Sequence, residues 1–167
     1  MKEIFNRRSI RKFTDQPVES EKIDKLLRAA MQAPSAMNRQ PWEFIVVKEK
    51  DTLTKLSECS PYAKPVLTSS VTFALLCNEN EMKIPVGWEE DMSAAAQNML
   101  LEAVHLDLGA VWLGVATSKD VTENVRTLFE LPDHIKPFAL ISVGYPDNQK
   151  NEYKDRYKED RVHYEKW

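Results

Sequence analysis

"EEDMSAAAQNMLLEAVHLDLG", residues 89–109, carries the longest helical pattern in the chain. Glu89, Glu90 and Asp91 fill what would be its first turn, where negative charge suits the positive end of the helix dipole. Gly109 directly follows the last apolar residue, the position at which many helices stop. In between, Met92, Ala95, Ala96, Met99, Leu100, Ala103, Val104, Leu106 and Leu108 cover more than one narrow stripe. The spacing therefore predicts a helix over 89–108 that is buried on several sides, either central to the fold or at a subunit interface.

Working outward, "AVWLGVA" (110–116) reads as extended, "KDVTENVRTLFEL" (119–131) as a helix, and "PFALISVGYP" (137–146) as a strand ended by Gly144 and Pro146. Upstream, Ile23, Leu26, Leu27, Ala30 and Met31 recur at helical spacing behind Ser20, a candidate N-cap. A polar, proline-bounded loop, "APSAMNRQPW" (33–42), leads into the β-branched and aromatic run "WEFIVVKE" (42–49). A short helix is expected near 51–58. The unbroken apolar run "SVTFALLCN" (70–78) predicts a strand covered on both faces. Helices and strands alternate, but without the regularity of a doubly wound sheet.

The chain's 167 residues suit one domain, 1–167, with one sizeable core. Its 43% hydrophobic and 29% charged residues are ordinary for a globular protein. A formal net charge of −3 lacks the basic field that accompanies nucleic-acid binding. Cys59 and Cys77 have neither CxxC nor metal-like spacing, which suits reduced thiols and a cytoplasmic location. Charges interrupt the N-terminus where a signal peptide would be apolar, and no run of about 20 apolar residues occurs, so neither secretion nor membrane association is expected.

Against that acidic background, "NRRSIRKF" (6–13) gathers Arg7, Arg8, Arg11 and Lys12 around Ser9. These residues are either the wet face of a short helix with Ile4, Ile10 and Phe13 turned inward, or an oxyanion cradle built from guanidinium forks and a hydroxyl. No GxGxxG or GxxxxGK[ST] loop is present, so side chains would have to hold a phosphate. "PSAMNRQPW" offers hydroxyl and amide groups suited to a polar heterocycle, or is simply a turn. His105, His134 and His163 are scattered without a metal-binding arrangement, and there is no GxSxG elbow or cysteine paired with a base. The acidic group at 89–91 is read as helix capping. The charged tail, 147–167, is spaced by Tyr153, Tyr157, Val162, Tyr164 and Trp167, which suggests docking rather than a wholly solvated segment.

Taken in order, "RRSIRKF" (7–13), "APSAMNRQPWEF" (33–44), "AAAQNMLLEA" (94–103), "AVWLG" (110–114) and "KDRY" (154–157) resemble the nitroreductase family of flavin-dependent oxidoreductases across nearly the whole chain. The resemblance implies an α+β fold, a central, mainly antiparallel sheet flanked by helices, whose C-terminal segment extends onto a dimer partner. It implies FMN at the interface of a homodimer. Arg7 would bind the phosphate with Lys154 and Arg156, Arg8 and Ser9 would lie along the phosphate and ribityl chain, and Arg11 would face the pyrimidine edge. There a guanidinium stabilises the charge of the reduced ring. Pro34, Ser35, Ala36 and Asn38 would reach the flavin from the other subunit, with Gln40 touching the ring or bracing the loop. Leu113 and Gly114 would bring backbone close to the flavin's N5 side.

The family's ping-pong cycle, with NADH or NADPH as donor and nitroaromatics, quinones or flavins as small-molecule acceptors, needs no dedicated acid or base. No catalytic side chain is accordingly assigned. "ENEMKIPVGWEED" (79–91) is short beside longer relatives, which implies an open pocket. Trp88 is either a stacking surface or packing, and Tyr62 and Lys64 match the family too loosely to be assigned. Leu113 stands where some relatives carry an acidic residue. Two alternatives remain: a family relative doing reductive dehalogenation or flavin-modifying chemistry, and a non-enzymatic module that binds a phosphate or a phosphorylated partner.

Overall fold

A computed structural model describes residues 1–82 and 84–167. Four strands, β1 (Trp42–Val47), β2 (Val71–Asn78), β3 (Gly109–Gly114) and β4 (Ile135–Gly144), form one antiparallel sheet in the order β1-β2-β4-β3. Among the described residues five α-helices surround it: α1 (Lys2–Asn6), α2 (Ser20–Met31), α3 (Lys50–Glu58), α4 (Trp88–His105) and α5 (Lys119–Leu128). The architecture is α+β, and none of the helices is long and apolar enough to cross a membrane among the described residues.

The central strands explain why their sequences do not alternate. On β2, Val71, Phe73, Leu75 and Cys77 face α2 and α4, while Ala74 and Leu76 face the second core beneath α3 and α5. Both faces of the strand are thus covered, as its unbroken apolarity predicts. A register shift at Leu75/Leu76 opposite Pro137 lets the Phe138 carbonyl accept from the amides of both Val115 and Ala116. Proline cannot donate to the ladder, and the irregularity falls beside it. Under the second face, Ser69 Oγ donates to the Val66 carbonyl at 2.8 Å. Hydroxyl contacts of 2.9 Å then link Ser69 to Thr72 and Thr72 to Ser142. These buried hydroxyls satisfy one another, the condition for hiding them cheaply.

Helix α4 packs Met92, Ala95, Ala96, Met99, Leu100 and Ala103 into the first core, as expected for a central helix. Its end differs from the expected glycine stop. Asp107, at φ 60°, takes the left-handed position; its amide bonds to Val104 O and the Leu108 amide to Ala103 O at 2.8 Å, a Schellman closure. Gly109 instead begins β3. A Cβ there would sit 2.6 Å from Ile10 Cγ2, so the glycine admits the N-terminal segment rather than capping the helix. Helix α2 also begins differently. Glu19 is the N-cap without a side-chain cap bond, and Ser20 is the first helical residue. The Glu19 carboxylate instead accepts from Tyr145 Oη at 2.9 Å, tying the helix start to the end of β4. Cys59 and Cys77 are buried free thiols.

Candidate functional site

Arg7 lies just past the five-residue α1, and residues 8–13 continue as a non-helical segment along β3. The Ile10 amide donates to Ala110 O at 3.0 Å, a parallel bridge joins Ser9 to Ala110, and Phe13 bridges to Pro146. Ile10 and Phe13 are buried whereas Ile4 is exposed, so the cations are not the wet face of a helix. They project from an extended strap whose apolar residues anchor it.

The start of the C-terminal tail laces onto this strap. Gln149 Oε1 accepts from the amides of Arg11 at 2.7 Å and Lys12 at 3.0 Å. Asn151 Oδ1 accepts from the Arg8 amide at 3.1 Å, and its Nδ2 donates to Leu108 O at 2.9 Å. Two side-chain amides therefore satisfy backbone groups that have no sheet partner. This lacing carries Arg156 to the N-terminal cations. A cavity of about 720 Å3 is lined by Arg8, Ser9, Arg11 and Arg156 together with Gln149 and Glu152. A neighbouring hollow of about 210 Å3 brings together Arg7, Lys154 and Arg156, walled by Phe5 and Tyr153. The residues assigned to one phosphate, more than 140 positions apart in sequence, thus meet on one surface.

Its electrostatics are one-sided. Burial pushes the Arg7 guanidinium below its ordinary pKa, and the nearby charges of Arg156 and Arg8 push it further down. Among the described residues, none of these three arginines forms a salt bridge. Cations outnumber the carboxylates of Glu152 and Asp155 in the lining of the two hollows, an excess of positive charge that favours an anion.

Arg11 links this surface to a third cavity, of about 610 Å3, lined by Lys12, Tyr62, Lys64, Trp112, Leu113 and Gly114. Leu113 and Gly114 end β3, an edge strand, and share this cavity's lining with Arg11 and Lys12. A Cβ on Gly114 would approach Thr117 Oγ1 to 3.0 Å, so its small size serves the turn after the strand. Tyr62 and Lys64, left unassigned from the sequence, line this cavity. Their signal was too faint because the connecting turn before β2 has no periodic pattern. Trp88 lines none of these three hollows; it packs edge-on against Phe138 with centroids 5.9 Å apart.

None of residues 34–40 lines these three cavities; Met37, Asn38 and Arg39 line a separate hollow with Glu81 and Ile84. Met37, Asn38 and Gln40 adopt φ of 56°, 53° and 48°, three left-handed non-glycine residues within four positions. Ser35 organises the turn: its carbonyl accepts from the Asn38 amide at 2.9 Å, its Oγ accepts from the Gln40 amide at 3.0 Å, and Gln40 Nε2 donates to Asn38 Oδ1 at 3.1 Å. Asp91 turns out to do more than favour a helix dipole. It is buried, accepts from the Ala36 amide at 2.8 Å and pairs with Arg39 Nε at 2.6 Å. Neither Arg39 nor Asp91 was singled out as a pair from the sequence. An acid in a helix's first turn and an arginine in a polar loop each have an ordinary explanation.

Sheet order, strap, basic surface and left-handed loop define an α+β protein with a basic end and a mixed polar and apolar cavity beside it. The nitroreductase family model matches residues 4–68 and 80–145, and the chain belongs to that family. A protein of Methanothermobacter thermautotrophicus, provisionally named an NADH dehydrogenase/NAD(P)H nitroreductase, is 45% identical over 98% of this chain and 85% of its own length. A crystal structure from Clostridium acetobutylicum, provisionally named an NADH oxidase, is 53% identical with a TM-score of 0.98, covering 99% of each chain. A structure named FMN-dependent nitroreductase, from Clostridium difficile R20291, is 32% identical with a TM-score of 0.91, covering 99% of this chain and 98% of that one.

Proposed function

We propose that the protein is an FMN-dependent oxidoreductase that takes reducing equivalents from NADH or NADPH and passes them to small oxidised acceptors such as nitroaromatics, quinones or flavins. The observation that carries this reading is the cluster of Arg7, Arg8 and Arg156, none of them in a salt bridge among the described residues, continued by Arg11 to the Leu113–Gly114 end of β3. A dianionic phosphate fits that cluster, because guanidinium forks supply charge-assisted hydrogen bonds and none of the three arginines is engaged in a salt bridge among the described residues; Glu152 pairs with Lys150 instead. The name of the Clostridium difficile structure supports the same cofactor.

When bound, FMN supplies the hydride chemistry and lets donor and acceptor react in turn. The chain's own residues bind and tune it. Arg7, Lys154 and Arg156 hold the phosphate, with Arg8 and Ser9 beside it, and Arg11 stabilises negative charge on the pyrimidine edge. The Leu113–Gly114 backbone lies along the ring, and Pro34, Ser35, Ala36, Asn38 and Gln40 contact the flavin of a second subunit. That residues 34–40 line none of the three cavities around the arginines and Leu113–Gly114 supports a homodimer in which each site draws on both copies. Exposed Tyr157, Tyr164 and Trp167 support a tail that continues onto the partner.

The test is the visible spectrum of the purified protein supplemented with FMN, followed by anaerobic addition of NADH or NADPH. A bound flavin that bleaches with either donor, and recovers with a quinone, is the expected result. A protein that takes up no flavin is not this enzyme. One that binds flavin but resists both donors belongs to the specialised branch of the family.

A further inference from the structure

The loop at 35–40 is unusual in being left-handed at three non-glycine residues, a conformation that L-side chains disfavour and that surrounding structure must impose. Its internal bonds, from Asn38 and Gln40 to Ser35, close the turn but do not attach it to the core. Attachment comes from one pair of side chains. Asp91, on rigid α4, uses both carboxylate oxygens on the loop: Oδ1 accepts from the Ala36 amide at 2.8 Å and Oδ2 from Arg39 Nε at 2.6 Å. The remaining prongs of Arg39 reach outward, Nη1 to Ile84 O and Nη2 to Val86 O, each at 2.9 Å. The two side chains are only 3% and 6% exposed. Each of the three guanidinium nitrogens thereby donates one hydrogen bond, in a geometry that a lysine cannot reproduce.

We propose that the buried Asp91–Arg39 pair is a positioning clamp: it sets residues 35–40 in their left-handed form before any ligand arrives and ties them to the segment entering α4. In this proposal Arg39 and Asp91 make no contact with the flavin. They act through Ser35, Asn38 and Gln40, and that part of the inference rests on the proposed role of this loop in flavin binding. A buried ion pair adds little stability over well-packed apolar residues, so its distinctive contribution is direction. Here that direction spans two backbone segments and one helix start. Pre-setting the loop removes the ordering cost that a flavin would otherwise have to meet on binding.

Asp91→Asn tests this, because it keeps size and an acceptor for the Ala36 amide while removing the charge that holds Arg39. In the flavin-free protein, amide exchange at Asn38 and Gln40 should quicken about tenfold or more relative to the central amides of β2. Exchange that is unchanged at both positions, or that quickens equally in β2, overturns the clamp and leaves only a contribution to overall stability. Equilibrium binding of FMN and of riboflavin should then weaken by the same factor, about tenfold, because the loop serves the ring that both share. Unaltered affinity for both, despite a loosened loop, overturns its link to the cofactor. If Asp91→Asn does not fold, Arg39→Lys, which retains the charge but not the fork, is read by the same two measurements. Wild-type protein that takes up no flavin sinks the proposed function, while the exchange measurement still decides the clamp.

Discussion

Replacing Arg7 with alanine separates flavin binding from folding. Arg7 is part-buried, lies beside the charges of Arg156 and Arg8, and forms no salt bridge among the described residues. Its removal from the empty protein breaks no ion pair and relieves repulsion, so the melting temperature of the flavin-free protein should stay level or rise slightly. In the complex, the same change removes a charge-assisted hydrogen bond worth about 1.5 to 3 kcal/mol. That converts to a dissociation constant for FMN roughly 10- to 150-fold weaker. Quenching of flavin fluorescence on titration gives that constant directly. Riboflavin, which lacks the phosphate, supplies the control: its affinity should hardly change. The wild-type preference for FMN should also shrink as salt rises, because the Debye length falls from about 10 Å at 0.1 M to about 3 Å at 1 M and the cluster is open to solvent. A folded Arg7→Ala protein that binds FMN as tightly as wild type would refute the phosphate assignment and the reading of the basic cluster with it.

The remaining expectations concern potential, packing and pH. Arg11→Gln should lower the flavin reduction potential while keeping much of the binding, as read by a spectroelectrochemical titration; an unmoved potential removes the electronic role. Gly109→Ala forces a Cβ to within 2.6 Å of Ile10 Cγ2, so it should cost about 1 to 3 kcal/mol in urea unfolding and loosen the strap that carries the arginines. Thr72→Val breaks the hydroxyl chain between Ser69 and Ser142 and should cost about 1 to 3 kcal/mol by the same measurement. Cys77 has its thiol pushed up from 9.0 to about 11, chiefly by burial. The folded protein thus holds this proton where the unfolded chain releases it, so the contribution is intact below pH 9 and is lost between about pH 9 and 11. Cys77→Ala should flatten the fall in stability across that window, and an identical slope in both proteins would count against the assignment.

Much of the architecture could be read from local pattern. Helices α2, α4 and α5 and strands β1, β2 and β4 fall within a few residues of their predicted spans, because each buries a continuous apolar face and such faces have a period visible in sequence. The antiparallel sheet followed from the family resemblance and not from spacing, since pairing order joins residues such as Thr72 and Ser142 that are far apart along the chain. The basic residues at 7–11 and 154–156 are brought to one phosphate by the family resemblance, and nothing in their spacing does so. Gln149 and Asn151 do that, by satisfying backbone amides of the strap, and nothing in a charged tail marks two amides for that task.

By itself, the sequence determined where apolar faces run, where charge is concentrated and which family's motifs occur in order, because these are properties of neighbours within a few turns. Tertiary structure alone decided what Gly109, Asp91 and Arg39 are for. The glycine's missing Cβ matters only once Ile10 lies against it. The acid at the start of α4 becomes a clamp only when a loop fifty residues earlier folds over it. Burial turns that contact into a constraint, since a carboxylate and a guanidinium removed from water must find all their partners in the protein, and here those partners are the loop and the segment entering α4.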